Sequence, residues 1–397
     1  MRAVKPLMLA SLLALVPLTG FAQEPVEGEP DVTIRQEGER TVEEYRVNGF
    51  LYAVKITPKT GKPYFLVRAD GGRDDDNGRH LMSVFTPLQH EELEAFLAPY
   101  QLGHLQEFEG IAAGSENSNF FVSLEQGQYV LTLVERGPTQ DLPFFIELLE
   151  VLHRAGLPVP YALHTRDGEA LRNLAGKPAL LQPRLPGRHV AVPNAHHCTE
   201  VGRLLARLHL ATREHIIERR SDRGVDWMQE EGPSIAMGLP EDQLPLLRES
   251  LTEIAELKPK ILALPRANLH ADLFRDNVLF EGGHLTGVID FYNACSGPML
   301  YDIAITVNDW CSHPNGELVE ERSQALLAAY SSLRRFTPAE AELWQPMLRV
   351  AGVRFWLSRL IAAQNFAGQP VLIKDPEEFR RLLAARRQSH SALPFAF

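Results

Sequence analysis

Leu269-His270-Ala271-Asp272-Leu273-Phe274-Arg275-Asp276-Asn277, with Val288-Ile289-Asp290-Phe291 a short way on, decides how this chain is read. The pattern is H-x-D-x-x-x-x-N followed by an apolar-Asp-Phe step. Moving a phosphoryl group from ATP to a hydroxyl takes one carboxylate to orient and deprotonate the acceptor. It also takes an amide oxygen and a second carboxylate to hold magnesium on the phosphates. Asp272 is the candidate base, and Asn277 and Asp290 are the candidate Mg2+ ligands. The spacing predicts a short loop between apolar stretches, then a hairpin that returns Asp290 to Asp272.

Composition sets the frame for that reading. The chain has 397 residues, enough for two or three domains with large cores, and its 45% hydrophobic and 23% charged residues are ordinary for a globular protein. A net charge of -11 argues against a nucleic-acid surface, which needs clustered Lys and Arg. ATP is a different case, because local backbone N–H groups and a bound metal outweigh a distant net charge. The three cysteines, Cys198, Cys295 and Cys311, form no C-x-x-C pair and suit a reducing compartment rather than a disulfide framework. His196-His197-Cys198 raises zinc, but the remaining ligand spacing is missing, so a polar loop entering a helix is the better reading.

Upstream of the catalytic stretch, Thr86-Pro87 followed by Glu91 and Glu92 predicts a helix with Thr86 as its N-cap. Residues 105–133 read as strands joined by a small-residue turn, 113–119, whose backbone could drape over phosphates. Gly114, Ser115, Asn117, Ser118 and Asn119 are its candidate nucleotide-binding residues. An amphipathic helix follows over 141–155, with Phe144, Phe145, Leu148, Leu149 and Leu152 on one face. The apolar run 178–187 leaves into a Pro/Gly turn; as an inter-lobe hinge it would pair with adenine, with Gln182 among the binding residues. A further helix over 196–209 ends in Leu208-His209, a packed, hydrogen-bonded histidine. From about 297 onward the chain is mostly helical. The expected fold is α+β: a small antiparallel β lobe (82–187), a large helical lobe (188–397), and an ATP cleft between them.

The N-terminal part has a different style. Residues 1–22 have a basic start, an apolar core and small residues at Gly20 and Ala22, a signal-peptide pattern. Residues 23–69 predict a small β unit with strands at 41–47, 50–56 and 64–67 and an Asn48-Gly49 turn. Residues 70–81 read as an acidic linker whose register fails an EF-hand. Met82 could be an original start, which would make 1–81 an appendage.

Five strings carry a family resemblance: 110–120 (GIAAGSENSNF), 131–136 (LTLVER), 141–145 (DLPFF), 270–277 (HADLFRDN) and 285–295 (LTGVIDFYNAC). Over nearly all of 82–397 the chain resembles the aminoglycoside phosphotransferase and choline kinase group of protein-kinase-like enzymes, and within it the homoserine kinases of that fold. Residues 23–69 resemble small exported proteobacterial proteins of unknown function. The resemblance implies a kinase using ATP and Mg2+ on L-homoserine, in the cytoplasm, on the route to threonine. It gives Asp272, Asn277 and Asp290 the roles already read from their chemistry, His270 a bracing role in the loop, and Asp302 a steadying one.

One departure stands out. Kinases of this fold often carry a lysine on the third strand, and here Thr132 occupies that place. Arg136 or the metal alone could make up for it, and Glu147 is the candidate partner glutamate. A small zwitterionic acceptor also needs a cation for its carboxylate, and Tyr292, Asn293, Asn308, Asp309, Trp310 and Arg354 are candidate linings. Two rival readings remain: a kinase of another small alcohol such as choline, ethanolamine or methylthioribose, and an ATP-binding or exported interaction protein without phosphotransfer.

Overall fold

The computed structural model describes residues 31–37, 40–47, 50–58, 64–67, 86–111, 117–135, 139–365 and 374–394. The signal-like segment, the Asn48-Gly49 turn and the linker at 70–81 lie outside them. The N-terminal unit is an antiparallel meander of four strands in the order β1 (Asp31–Glu37), β2 (Arg40–Val47), β3 (Phe50–Pro58) and β4 (Tyr64–Val67). The last three match expectation. β1 was not anticipated, because its alternation is spread over polar residues (Asp31, Arg35, Gln36, Glu37) rather than an apolar run.

The body opens with α1 (His90–Leu97). Its N-cap position is Gln89, without a side-chain cap, so the helix starts later than the Thr86-Pro87 signal implied. Thr86 is drawn elsewhere: its N–H donates to Ser118 Oγ at 3.1 Å. The small-lobe sheet is antiparallel. It is built from β5 (Leu105–Gly110), β6 (Ser118–Leu124), β7 (Gly127–Leu133), β8 (Arg172–Leu174) and β9 (Lys177–Pro183), in the order β5-β6-β7-β9-β8. Strict alternation on β6 puts Ser118, Phe120, Val122 and Leu124 inside, against Leu93, Phe96 and Leu97 of α1. Asn119, Phe121 and Ser123 face the other way.

α2 (Leu142–Arg154) carries Pro143 in its first turn and His153 and Arg154 in its last, both favourable placements. Although it adjoins the small sheet in sequence, its apolar face joins the core of the large lobe. That lobe is formed by α3 (Ala195–Thr212), α4 (Val225–Ala236), α5 (Leu244–Leu262), α6 (Met299–Trp310), α7 (Glu320–Ser331), α8 (Pro338–Asn365) and α9 (Pro376–Gln388). Two small antiparallel pairs are set among these helices. One is β10 (Arg266–Leu269) with β13 (Cys295–Pro298), and the other is β11 (Val278–Glu281) with β12 (His284–Val288). α6 is buried on nearly every side, which makes it the central helix. The fold is therefore the α+β, two-lobed one expected.

Two glycines are required by geometry. Gly202 lets α3 approach α7 so closely that any side chain there would collide with the Leu326 carbonyl. Gly187, at φ +110, ends the inter-lobe turn, and a Cβ on it would sit 2.9 Å from the Phe280 carbonyl. Next to it, Arg188 and Phe280 exchange two backbone hydrogen bonds of 2.9 Å, which staple the turn to β11.

Candidate active site

Strand pairing brings the predicted residues together. Leu269 pairs with Cys295, so the loop leaving β10 at His270 starts beside the segment that enters β13. Val278 pairs with Val288, so Asn277 and Asp290 lie at the same end of the β11–β12 hairpin, and Ile289 N–H donates to the Asn277 carbonyl at 3.0 Å. The returning hairpin predicted from spacing is present. Ala271 (φ +59) and Asp290 (φ +63) both sit in the left-handed region, where a non-glycine residue costs about 1–3 kcal/mol and needs surroundings that enforce it.

The enforcement is a buried polar network. Asp302, fully buried on α6, accepts from the backbone N–H of His270 and of Ala271, both at 2.8 Å, and lies 3.1 Å from His209 Nε2. Burial alone would favour the neutral acid. The hydrogen bond from His209 and the backbone N–H of His270 outweigh that and hold the Asp302 carboxyl below its ordinary range. His209 is in turn fixed by Tyr330, with Nδ1 2.8 Å from the phenol oxygen. Asp302 thus steadies the loop as expected, and His209 is the packed histidine foreseen, with the added task of holding Asp302.

His270 braces the loop from within. Its Nδ1 accepts from Asp272 N–H at 3.2 Å and its Nε2 meets the Ile289 carbonyl at 3.0 Å. Those two contacts require the neutral Nε2–H tautomer. Burial pushes the ring's pKa below its ordinary value, in agreement. One imidazole thereby ties the base loop to the strand end carrying Asp290. Asn277 closes the loop, its Nδ2 donating to the Asp272 carbonyl at 2.8 Å, which leaves Oδ1 as the amide's acceptor.

Of the candidate linings, three turn out to be structural. Trp310 is fully buried and donates to the Leu273 carbonyl at 3.0 Å. Asp309 accepts from Arg275 N–H at 2.7 Å and pairs with its guanidinium. Asn308 joins α6 to Leu348 and Arg386. Asn293 and Arg354 do reach Asp272: Asn293 Nδ2 donates to Asp272 Oδ2 at 3.2 Å, and Arg354 Nη1 lies 3.9 Å from Asp272 Oδ1. Tyr292 is half-buried, its ring edge-on to Phe145 with centroids 5.7 Å apart.

In the small lobe, Gly114, Ser115 and Arg136 lie outside the described residues. Asn117 and Ser118 spend their side chains on structure: Asn117 Oδ1 accepts from Glu135 N–H at 3.1 Å, and Ser118 Oγ donates to Glu135 Oε1 at 2.5 Å. Glu135 also pairs with Lys177. Ser118 belongs to the buried, α1-facing row of β6, so this cluster is on the side away from Asn119. Asn119 is paired in register with Thr132, whose hydroxyl donates to Asn119 Oδ1 at 2.7 Å. Thr132 is thus buried and bonded, and the amide nitrogen of Asn119 remains as a neutral donor. Gln182, near the end of β9, donates to the Pro160 carbonyl. Glu147 lies on the exposed side of α2 and pairs with no cation among the described residues.

Sequence reasoning missed the joining of Arg354 to Asn293 and the Tyr330–His209 support. A signal existed: Asp302 and Arg354 each stand in an otherwise apolar helical run, and a charge in such a run must find partners.

Residues 107–336 match the phosphotransferase enzyme family. Over 315 residues the chain is 69% identical to a homoserine kinase of Pseudomonas aeruginosa, covering 79% of this chain and 100% of that protein. The chain belongs to the homoserine kinase family. A second member, from Cupriavidus pinatubonensis, is 41% identical over 320 residues, covering 77% of this chain and 96% of its own. Residues 13–86 match a family of proteins of unknown function, DUF2782, as the small exported-protein resemblance implied. Among solved structures, an amicoumacin kinase in complex with AMP-PNP and Ca2+ aligns with a TM-score of 0.55 at 19% identity, over 76% of this chain and 95% of that one. A spectinomycin phosphotransferase aligns at 0.53 and 13%, over 75% and 94%. These two likenesses bear on the fold, which is protein-kinase-like.

Proposed function

We propose that the body of this chain, 82–397, transfers the γ-phosphoryl group of MgATP to the hydroxyl of L-homoserine, giving O-phospho-L-homoserine on the route to threonine. The observation that carries the acceptor is 69% identity across the whole length of a homoserine kinase. The chemistry is supported by the loop itself. Asp272 is half-buried, with its backbone held by His270 and its carboxylate offered at the loop surface. It orients the acceptor hydroxyl and takes its proton as the oxygen attacks phosphorus. Asn277 and Asp290 offer oxygen ligands at one hairpin end, a set that suits magnesium, and the bound ion would offset charge on the phosphates. The turn at 114–119 and Asn119, on the face of β6 away from α1, take the phosphates. Gln182 belongs to the hinge strand beside adenine.

The proposed division is a nucleotide lobe at 82–187 and a catalytic lobe at 188–397, with 1–81 as an appendage. The working compartment is the cytoplasm, where ATP is found, despite the signal-like pattern of 1–22. No helix among the described residues is long and apolar enough to cross a membrane.

An ADP-coupled assay of the full chain with homoserine, choline, ethanolamine, serine and methylthioribose tests the reading. Turnover with homoserine far above the others, lost in Asp272→Asn, is the expected result. Turnover centred on another alcohol would keep the kinase and discard the acceptor.

A further inference from the structure

Arg354 is a costly residue to place where it is. It lies on α8, 2% exposed, and a buried guanidinium needs partners to offset its desolvation. Phe355 stacks beneath its plane at 4.0 Å. Its Nη2 donates to Asn293 Oδ1 at 3.1 Å, and its Nη1 makes no hydrogen bond, standing 3.9 Å from Asp272 Oδ1. Asn293 completes a ring by donating from Nδ2 to Asp272 Oδ2 at 3.2 Å.

The chemistry of the three groups fixes their order. Arginine has donors only, so Asn293 must turn its carbonyl oxygen toward Arg354. Its NH2 group must then face Asp272. Without the arginine an Asn amide can rotate by half a turn at little cost, and its carbonyl would then oppose the carboxylate. Oδ2 of Asp272 is consequently occupied by a donor, while Oδ1 is unshared and faces a cation. We propose that Arg354 is a positioning residue that acts through Asn293 to fix the Asp272 carboxylate, leaving Oδ1 as the oxygen that accepts the acceptor's proton. This rests on Asp272 being the base. In the step itself, the acceptor O–H proton passes to Oδ1 and the acceptor oxygen bonds to the γ-phosphorus. The bond from that phosphorus to the β-phosphate oxygen breaks, and ADP leaves with the electron pair.

Other ionisable groups nearby are already committed. His270 accepts from Asp272 N–H, and Asp302 is bound to the loop and to His209. Arg219, which donates to the Ala294 carbonyl beside Asn293, is paired with Asp141 and Asp222. Among the described residues, Arg354 is therefore the cation that acts on Asp272 from the helical side.

Full-length wild type, Arg354→Met, Arg354→Lys, Asn293→Ala, the Arg354→Met/Asn293→Ala pair and Asp272→Asn are compared by kcat and by KM for ATP, each per folded enzyme. Arg354→Met is expected to lower kcat on the order of 100-fold, the scale of a mispositioned group, with KM for ATP changed by less than about twofold. Asn293→Ala, at a half-buried site that does not threaten the core, should give a similar kcat loss. The pair should be no worse than Arg354→Met alone, as for members of one relay, and Arg354→Lys should recover part of kcat. A multiplicative pair, or loss of folded enzyme with wild-type kcat in what remains, would overturn the relay. Undiminished turnover in Asp272→Asn would overturn the base itself, which separates the two failures.

Discussion

The loop at 270–277 and the strand row of Asn119 and Thr132, assigned above to one proposed reaction, are held by opposite means. The loop is held by a buried polar network: the Asp302 carboxylate takes its backbone N–H groups and His209, neutral His270 ties it to Ile289, and buried Arg354 reaches Asp272 through Asn293. The strand row is neutral, a threonine hydroxyl bonded to an asparagine amide where related folds often place lysine. Charge buried without exact partners is expensive, so the loop's network fixes one geometry and strains two residues into it. A neutral pair fixes little and leaves attraction for phosphate to the backbone turn and the metal. On the proposed roles, the base is preorganised and the phosphate grip is spread over weak contacts.

The largest effect should come from the loop's business end. Asp272→Asn should cost kcat about 100- to 10,000-fold, the range of general-base catalysis, while calorimetry with ATP finds binding nearly unchanged. Retained turnover would break the comparison at its first term. Asp302→Ala comes next. It strands two backbone donors and His209, and should lower stability by roughly 3–5 kcal/mol, the scale for breaking a buried pair, measured by urea unfolding. A loss under 1 kcal/mol by the same scale would show that the network is ornamental.

Thr132→Val probes the other side. It frees Asn119 to rotate and should raise KM for ATP several-fold while changing stability by only about 1 kcal/mol, one hydrogen bond's worth. A loss of kcat as deep as that of Asp272→Asn would mean the neutral row is preorganised too. The smallest effect is in acid. His270 is held neutral in the fold, so below its ordinary value of 6.5 the unfolded chain takes up a proton that the folded chain refuses. Its contribution to stability is present above that pH and declines as pH falls through it. Asp302, held ionised, adds a second loss at still lower pH. The melting temperature should therefore fall from pH 7 to pH 5 more steeply in wild type than in His270→Gln, and equal slopes would deny His270 its buried, neutral state.

Legibility in the sequence divides along the same line. That Asp272, Asn277 and Asp290 come together could be read because the loop and returning hairpin are local, with their spacing written within one short segment. The two-lobed order could be read because strand alternation and helix periodicity are local as well. His209 could be read as a packed histidine, and Asp302 as a steadying acid through the family resemblance; how these two join Tyr330, and Arg354 joins Asn293, could not, since the four groups on helices come from four different ones and meet only through tertiary packing. The Thr86 cap misled because tertiary contacts hold Thr86 by its backbone N–H to Ser118 Oγ on β6, and the helix starts only at His90. Asn117 and Ser118 carried the composition of a phosphate turn, yet the pleat of β6 and the Glu135 cluster direct both side chains into structure.

The most direct test of the account is 31P NMR of the full chain with MgATP and L-homoserine, beside Asp272→Asn. The prediction is a new phosphate-monoester resonance coupled to the protons of the carbon that bears homoserine's side-chain hydroxyl, growing in step with ADP and missing from the variant. ADP without that ester, or an ester formed equally well by Asp272→Asn, would contradict it.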